Sequence, residues 1–334
     1  MSGVYRIFGA EPSPYSVKVR SYFRYKAIPH EWTPRDSSTE GEYRKVAKLP
    51  LIPAVATPAG EGLQDSTPIL ERLEAEFPEP AIHPEDPATA FLSALLEEFG
   101  DEWGNKWMFH YRWAREVDRL SASERIAAAM MPGLAGDELA RAAAGIRERM
   151  VGRVWFVGSS PTTAPVIEAS YREAVSLLEA HLATRPYLFG GRPAFGDFGL
   201  AGQLYECWTD PTPGGILRES APRVTAWVER MLWPKAEGPF EAREALLPTL
   251  FPLLERQVGR LFLPWSDANA RAIAAGSEEF SVELAGVRWT QKPQKYHAKS
   301  LAELRRRHAA LHDRTALDPI LERSGCLRWL RAAS

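Results

Sequence analysis

The stretch FPEPAIHPEDP, residues 77–87, divides the chain into two unlike halves. Proline lacks a backbone N–H and fixes its own φ, so four prolines this close together interrupt both helix and strand pairing and mark a boundary. Ahead of it, short apolar runs alternate with helical patterns. Val4–Ala10 and His30–Thr33 read as strands, with Pro14–Ala27 and Thr39–Lys48 as helices after them. Ile52–Ala56 and Gly62–Gln64 read as a hairpin, and Pro68–Glu76 as a closing helix. That order predicts a small mixed sheet with helices packed against it.

Beyond the boundary, helical periodicity dominates. It predicts helices at about Ala88–Leu120, Ser123–Val151, Thr163–Thr184, Asp197–Glu206 and Ala221–Met231. Phe240–Ala275 is helical in pattern, but Pro248, Pro252 and Pro264 must break or kink it wherever they fall inside. FSVELAGVRW, Phe280–Trp289, alternates as a β-hairpin around Ala285–Gly286, and Lys299–His312 returns to a helical pattern. The expected organisation is a first domain over residues 1–76, a linker over 77–87 and a helical domain over 88–334 that includes a folded C-terminal extension.

Composition narrows the function classes. A net charge of -2 in 334 residues argues against a dominant surface for nucleic acid or for anionic membrane. No apolar run reaches the length of a membrane span and no secretory pattern opens the chain, so a cytoplasmic protein is expected. Cys207 and Cys326 form no C-x-x-C pair and support neither a redox nor a zinc function. No dense His/Cys/Asp/Glu spacing calls for a metal.

Chemistry is suggested first by GAEPSPYSVKVRSYF, residues 9–23. Ser13 is placed to cap a helix and Pro14 to occupy its first position, which accounts for the spelling without catalysis. A helix N-terminus also stabilises an anion, so capping and catalysis are compatible. The dipeptide Ile52–Pro53 and the triplet Gln64–Asp65–Ser66 follow at intervals that make the three motifs informative as a set. Individually they read as a strand-edge proline and a helix start.

Together, SPYS, LPLIPAV and LQDSTPILERLE resemble the N-terminal, thioredoxin-like domain of the glutathione transferase superfamily, and the helices that follow, through about Met231, resemble its C-terminal domain. The resemblance implies a thioredoxin-like domain followed by an all-α domain, with glutathione as cosubstrate, no metal, and a homodimer. Ser13 matches the catalytic serine of serine-type members, whose hydroxyl donates to the glutathione sulfur and favours thiolate over thiol. Ser16 is a second candidate and Tyr15 a third, because glutaredoxin-like relatives write C-P-Y-C where this chain writes S-P-Y-S. Hydroxyls cannot perform the thiol exchange of those relatives. Pro53 matches the cis-proline that turns the backbone of Ile52 toward the cysteinyl unit, and Asp65 and Ser66 match the pair that holds the γ-glutamyl end.

The chain also departs from the family. Pro50 and Leu51 stand where a basic side chain often binds the glycyl carboxylate, which leaves the displaced Lys48 as the candidate. In RPAFGDFGLAGQLY the hydroxyl residue usual three positions before Asp197 is Ala194, so an altered cap is expected around a structural aspartate. In EEFGDEWGNKWMFHYRWAREVD, the residues Trp107, His110, Tyr111, Arg112 and Trp113 are candidates for an electrophile pocket, alongside ordinary packing, hydrogen-bonding and ion-pairing roles. KPQKYHAKSLAELRRRH, residues 292–308, reads as a solvated face, with Tyr296 tucked against the domain; the segment either covers the cleft or supports a subunit interface. The expected function is conjugation of the glutathione thiolate to a small apolar or aromatic electrophile. A non-catalytic glutathione-binding or protein-interaction module and a prostaglandin E synthase 2-like isomerase are the alternatives.

Overall fold

The computed structural model describes residues 3–331. Its first unit is a four-stranded sheet in the order β2-β1-β3-β4, built from β1 (Tyr5–Gly9), β2 (His30–Pro34), β3 (Ala54–Ala56) and β4 (Gly62–Gln64). β1 and β2 run parallel, while β3 is antiparallel to both β1 and β4. A right-handed helical crossover suits the parallel pair, and α1 (Pro14–Tyr25) supplies the helix.

Side chains alternate across this sheet as its period of two requires. Tyr5, Ile7, Val55 and Leu63 pack with Val19 and Phe23 of α1 and with Ile69, Leu70 and Leu73 of α3 (Ser66–Glu76). Phe8 and Ala54 face the other way, onto Tyr43 of α2 (Glu40–Val46). The register decides where function can sit. Phe8 pairs with Ala54 and Ala54 with Gln64, so the chain leaves β1, enters β3 and leaves β4 at one end of the sheet. Ser13, Pro53 and Asp65 lie just beyond that end.

The linker ends where the Asp86 carboxylate accepts the Thr89 N–H at 3.0 Å and Pro87 opens α4 (Pro87–Phe99). The predicted helix from Ala88 to Leu120 is broken differently. α4 passes through a π-helical turn, Gly100–Gly104, into α5 (Asn105–Ala114), and the chain kinks at Arg115 before α6 (Glu116–Met130) and α7 (Gly136–Val151). Arg115 is extended, with ψ 150°, a break that carries no proline or glycine to announce it. α8 (Ala164–His181) and α9 (Phe195–Thr209) follow. α10 (Pro211–Ser220) has no counterpart in the sequence expectation, because PTPGG reads as a turn while its prolines fit the first helical turn. α11 (Pro222–Met231) completes the region.

α9 is the central helix, buried from Phe195 to Cys207. It lies close to α1, and a side chain on Gly202 would stand 2.6 Å from the carbonyl oxygen of Pro14. Asp197 holds its start from inside. Its carboxylate accepts the N–H groups of Ala194 at 2.9 Å and Leu188 at 2.8 Å, together with the Trp227 indole at 2.9 Å. Half of the capping box remains although Ala194 has no oxygen to offer.

The extension is folded into the same core. α12 (Arg243–Leu253) contains Pro248 and Pro252 and passes into a π-helical stretch, Leu254–Phe262, and Pro264 sits in the first turn of α13 (Leu263–Ala274). The hairpin pairs β5 (Phe280–Leu284) with β6 (Val287–Gln291) through Ala285 and Gly286, both at positive φ. α14 (Lys295–Ala310), α15 (Asp318–Arg323) and α16 (Leu327–Leu330) close the chain. Trp265 and Trp289 meet Trp103 at ring separations of 6.4 and 5.7 Å, which joins the extension to the π-helical turn ahead of α5. Among the described residues no helix is long and apolar enough to cross a membrane.

Candidate functional site

Ser13 caps α1. Its Oγ accepts the N–H of Ser16 at 3.3 Å and the Ser16 hydroxyl at 3.0 Å, which leaves the Ser13 O–H free to donate outward. Ser16 is buried completely, so its hydroxyl supports Ser13 from beneath and does not reach solvent. Tyr15 points elsewhere, donating to the backbone carbonyl of Asp101 at 3.0 Å, and burial raises its phenol pKa well above the usual value.

The loop ahead of Ser13 is held rigidly. Arg20 clamps Glu11 with contacts of 2.5 and 2.8 Å, and the Tyr205 hydroxyl donates to the same carboxylate at 2.8 Å. Arg112 donates to the Pro12 carbonyl at 3.2 Å while gripping Glu206 at 2.5 Å and Asp210 at 2.8 Å. Arg112 therefore lies in the interior behind the serine loop, only 3% exposed.

The Ile52–Pro53 peptide is cis. The loop before it is organised by Gln64, whose Oε1 accepts the N–H groups of Lys48 and Leu49 at 2.7 and 2.9 Å and whose Nε2 donates to the carbonyls of Leu49 and Leu51 at 2.8 and 3.0 Å. Tyr43 adds a hydroxyl bond to the same carbonyls. Lys48 is exposed and held through its backbone.

Asp65 adopts φ 77° and ψ 119°, a region that costs a side-chain-bearing residue of order 1–3 kcal/mol. It stands at the cap position of α3 but makes no side-chain cap bond, so helix initiation does not account for its carboxylate. Ser66 is buried, and its hydroxyl belongs to an internal cluster. Lys18 reaches from α1 to Ser66 at 3.4 Å, Thr67 at 3.0 Å and Asp101 at 2.6 Å, and also contacts Glu97. Burial alone would discharge Lys18, yet the facing carboxylates of Asp101 and Glu97 hold its pKa above the ordinary value. Burial pushes Asp101 up to about 7 and Glu98, beside Glu97, up to about 8. Sequence reasoning assigned no role to Lys18 or to the carboxylates of the EEFGDE run, and took Gln64 only as part of its motif. The available signals were a lysine inside the apolar pattern SVKV and carboxylates on consecutive helical turns.

The proposed electrophile pocket is otherwise disposed. Trp107, Tyr111 and Trp113 are each no more than 1% exposed. Trp107 donates to Ser170 at 2.9 Å, Tyr111 packs on Tyr171 with ring centroids 5.0 Å apart, and Trp113 belongs to a cluster with α6 and α7. His110 is bonded to Ser159 at 2.8 Å and Glu168 at 3.1 Å, and burial lowers its pKa. These side chains form helical core. A cavity of about 620 Å³ lies instead in the extension, lined by residues that include Gly259, Val282, Arg323 and Trp329.

Two family models match parts of the chain. The glutathione S-transferase N-terminal domain matches residues 7–81, and the glutathione S-transferase C-terminal domain matches residues 165–230. The fold is that of the glutathione S-transferases. Similar solved structures include a glutathione S-transferase of Methylobacterium radiotolerans in complex with glutathione sulfonate, 23% identical, covering 74% of this chain and 94% of its own with a TM-score of 0.42. The β-etherase LigF of a Sphingobium strain is 20% identical over 74% of this chain and 98% of its own, with a TM-score of 0.45. A Tau class glutathione S-transferase from mango is 17% identical over 73% and 91%, with a TM-score of 0.40. No curated protein matches the chain. Among the described residues no group of His, Cys, Asp or Glu is arranged to hold a metal ion, and the free cysteines Cys207 and Cys326 are buried.

Proposed function

We propose that the protein binds glutathione at the end of the sheet where Ser13, Ile52–Pro53 and Asp65–Ser66 meet, and transfers its thiolate to an electrophilic carbon. The observation that carries this reading is the Ser13 hydroxyl, which accepts two bonds from Ser16 and keeps its own proton for a sulfur anion at the α1 N-terminus. A hydrogen bond to the charged form favours that form, and the helix dipole acts in the same sense. The backbone of Ile52 pairs with the cysteinyl unit of the tripeptide. Asp65 receives the γ-glutamyl amine, while the N–H groups opening α3 receive the α-carboxylate. Ser66 contributes through its backbone, because its hydroxyl is turned toward Lys18 and Asp101. Lys48 is the cation nearest in sequence to the glycyl end.

The reaction is nucleophilic attack by a thiolate whose formation the protein favours, with Arg112, Arg20 and Gln64 acting only by holding the loops that carry the site. The burial of Trp107, Tyr111 and Trp113 favours a second reading, a glutathione-binding module without turnover, because it removes the aromatic pocket expected to receive the electrophile. A crystal structure with glutathione, paired with an electrophile-consumption assay, tests both. Sulfur beside Ser13 with turnover supports the transferase; the same pose without turnover supports the module. An empty site at saturating glutathione would sink both.

A further inference from the structure

The hairpin of the C-terminal extension leaves a strand edge open. Ala285 and Gly286 both have positive φ, 50° and 75°, the two-residue turn in which the flanking pair, Leu284 and Val287, exchanges both backbone bonds. Bonded and non-bonded pairs alternate from there. Val282 and Phe280 therefore bond to β6, while Ser281 and Glu283 turn their N–H and C=O groups away from it. The Ser281 and Thr290 hydroxyls meet at 2.9 Å, as the closer side chains of a non-bonded pair should. The sheet has two strands, and among the described residues the four outward groups of Ser281 and Glu283 meet no backbone partner. The cavity of about 620 Å³ lies along this edge. Val282 and Glu283 both line it although their side chains point to opposite faces, and no residue of β6 does, which sets the cavity beside the strand and not over it. The rest of its lining comes from the π-helical stretch, the start of α13 and the segment 322–329. Arg260 there pairs with Glu255 at 3.1 Å. Among the described residues Arg323 and Arg328 pair with no carboxylate, and Glu283 and Glu322 with no cation; the two guanidinium groups lie instead over the rings of Phe251 and Trp329, at 4.9 and 4.5 Å.

We propose that this groove takes an extended peptide segment of a partner protein, which adds a third strand to the hairpin along β5. The proposal is independent of the glutathione reading. A peptide backbone offers donors and acceptors at the spacing that Ser281 and Glu283 present, and the added strand satisfies all four of their outward groups. Strand alternation then sets the side chains. The residue beside Val282 shares its face and is apolar, and the residue beside Glu283 is basic, because opposite charges across neighbouring strands attract. A carboxylate of the same segment meets Arg323 and Arg328, which have charge to spend and a planar fork to direct it. The segment 322–329 walls the groove, so a single strand enters where the hairpin of a second copy is obstructed.

The probe is a displayed library of random heptapeptides selected on the full-length protein, with the most enriched peptide synthesised and its dissociation constant measured by fluorescence polarisation. Two variants read the edge. Glu283→Pro removes an outward N–H that β6 does not use, and Arg288→Pro does the same on the opposite edge of the hairpin. Equal melting temperatures establish that both are folded. The expected result is an enriched peptide with basic, apolar and acidic residues, bound about 10-fold or more weakly by Glu283→Pro and unchanged by Arg288→Pro. Peptides N-methylated at alternate amides give a second readout on the unmodified protein: one methylation register faces β5 and weakens binding by about 3–10-fold or more, and the other leaves it unchanged. Enrichment of no sequence, equal weakening by both proline variants, or a peptide indifferent to methylation in both registers would overturn the proposal. A dimer of the unmodified protein in sedimentation equilibrium that Glu283→Pro dissociates would assign the edge to a second copy and overturn it as well.

Discussion

Replacing Lys18 by methionine is the most informative test of how the two halves of the protein are held in register. Methionine keeps much of the apolar stem but removes the ammonium that α1 inserts between Glu97 and Asp101 and beside Ser66 and Thr67. Both carboxylates are at least nine-tenths buried, and burial already pushes Asp101 up to about 7. Removing one partner of a buried pair costs about 3–5 kcal/mol, chiefly from the charge left behind. The cost carries a pH signature. An acid whose folded pKa is raised above its unfolded value binds more protons when folded, so its contribution is fully favourable below the unfolded pKa and is lost as pH rises through the folded one. Without Lys18 the raised values of Asp101 and Glu98 move higher still, and the deficit of Lys18→Met is largest at pH 8. At pH 5.5 protonation removes most of the stranded charge, and the deficit falls to about 1–2 kcal/mol from lost hydrogen bonds. Urea unfolding of both proteins at the two pH values measures this. A deficit independent of pH, or below about 1 kcal/mol at pH 8, would refute the claim that Lys18 neutralises buried carboxylates.

Other variants separate positioning from chemistry. Asp65→Gly removes the penalty of a side chain at φ 77° and raises stability by about 0.5–1.5 kcal/mol, while glutathione affinity falls at least tenfold; chemical denaturation and calorimetry check the two halves. Arg112→Lys keeps the charge but not the fork that spans Glu206, Asp210 and the Pro12 carbonyl, and it destabilises by about 2–4 kcal/mol in thermal unfolding. Ala285→Gly relieves a left-handed φ of 50° in the hairpin turn and stabilises by a few tenths to about 1 kcal/mol, read from the urea midpoint.

The sheet was legible because its elements are short and punctuated. Gly9, the Ala27–Pro29 turn and Gly60 separate them, and the alternation of Ile7 with Phe8 needs helices on both faces. Ser13, Pro53 and Asp65 carry their signals locally, in a cap, a proline and a helix start. The helical region was less legible at its joints. The break at Arg115 comes without a proline or glycine, and α10 begins in PTPGG, whose composition suits a turn equally well. Aromatic richness in α5 was read as a pocket lining, but the partners that bury it, Ser170 and Tyr171, lie more than fifty residues downstream. Lys18 depends on tertiary neighbours in the same way. Nothing near it in sequence indicates that it crosses to Asp101.

The central claim is that Ser13 stabilises a thiolate, and the thiol pKa of bound glutathione measures that directly. Ultraviolet absorbance of the thiolate, titrated with pH in the saturated complex, should place the bound thiol about 1–2 units below the free value of about 8.5, and Ser13→Ala should return most of that shift. The same variant should lower kcat/KM for conjugation about 10–100-fold without displacing the bound tripeptide. A bound thiol with an unshifted pKa, or a shifted one indifferent to Ser13→Ala, would contradict the account.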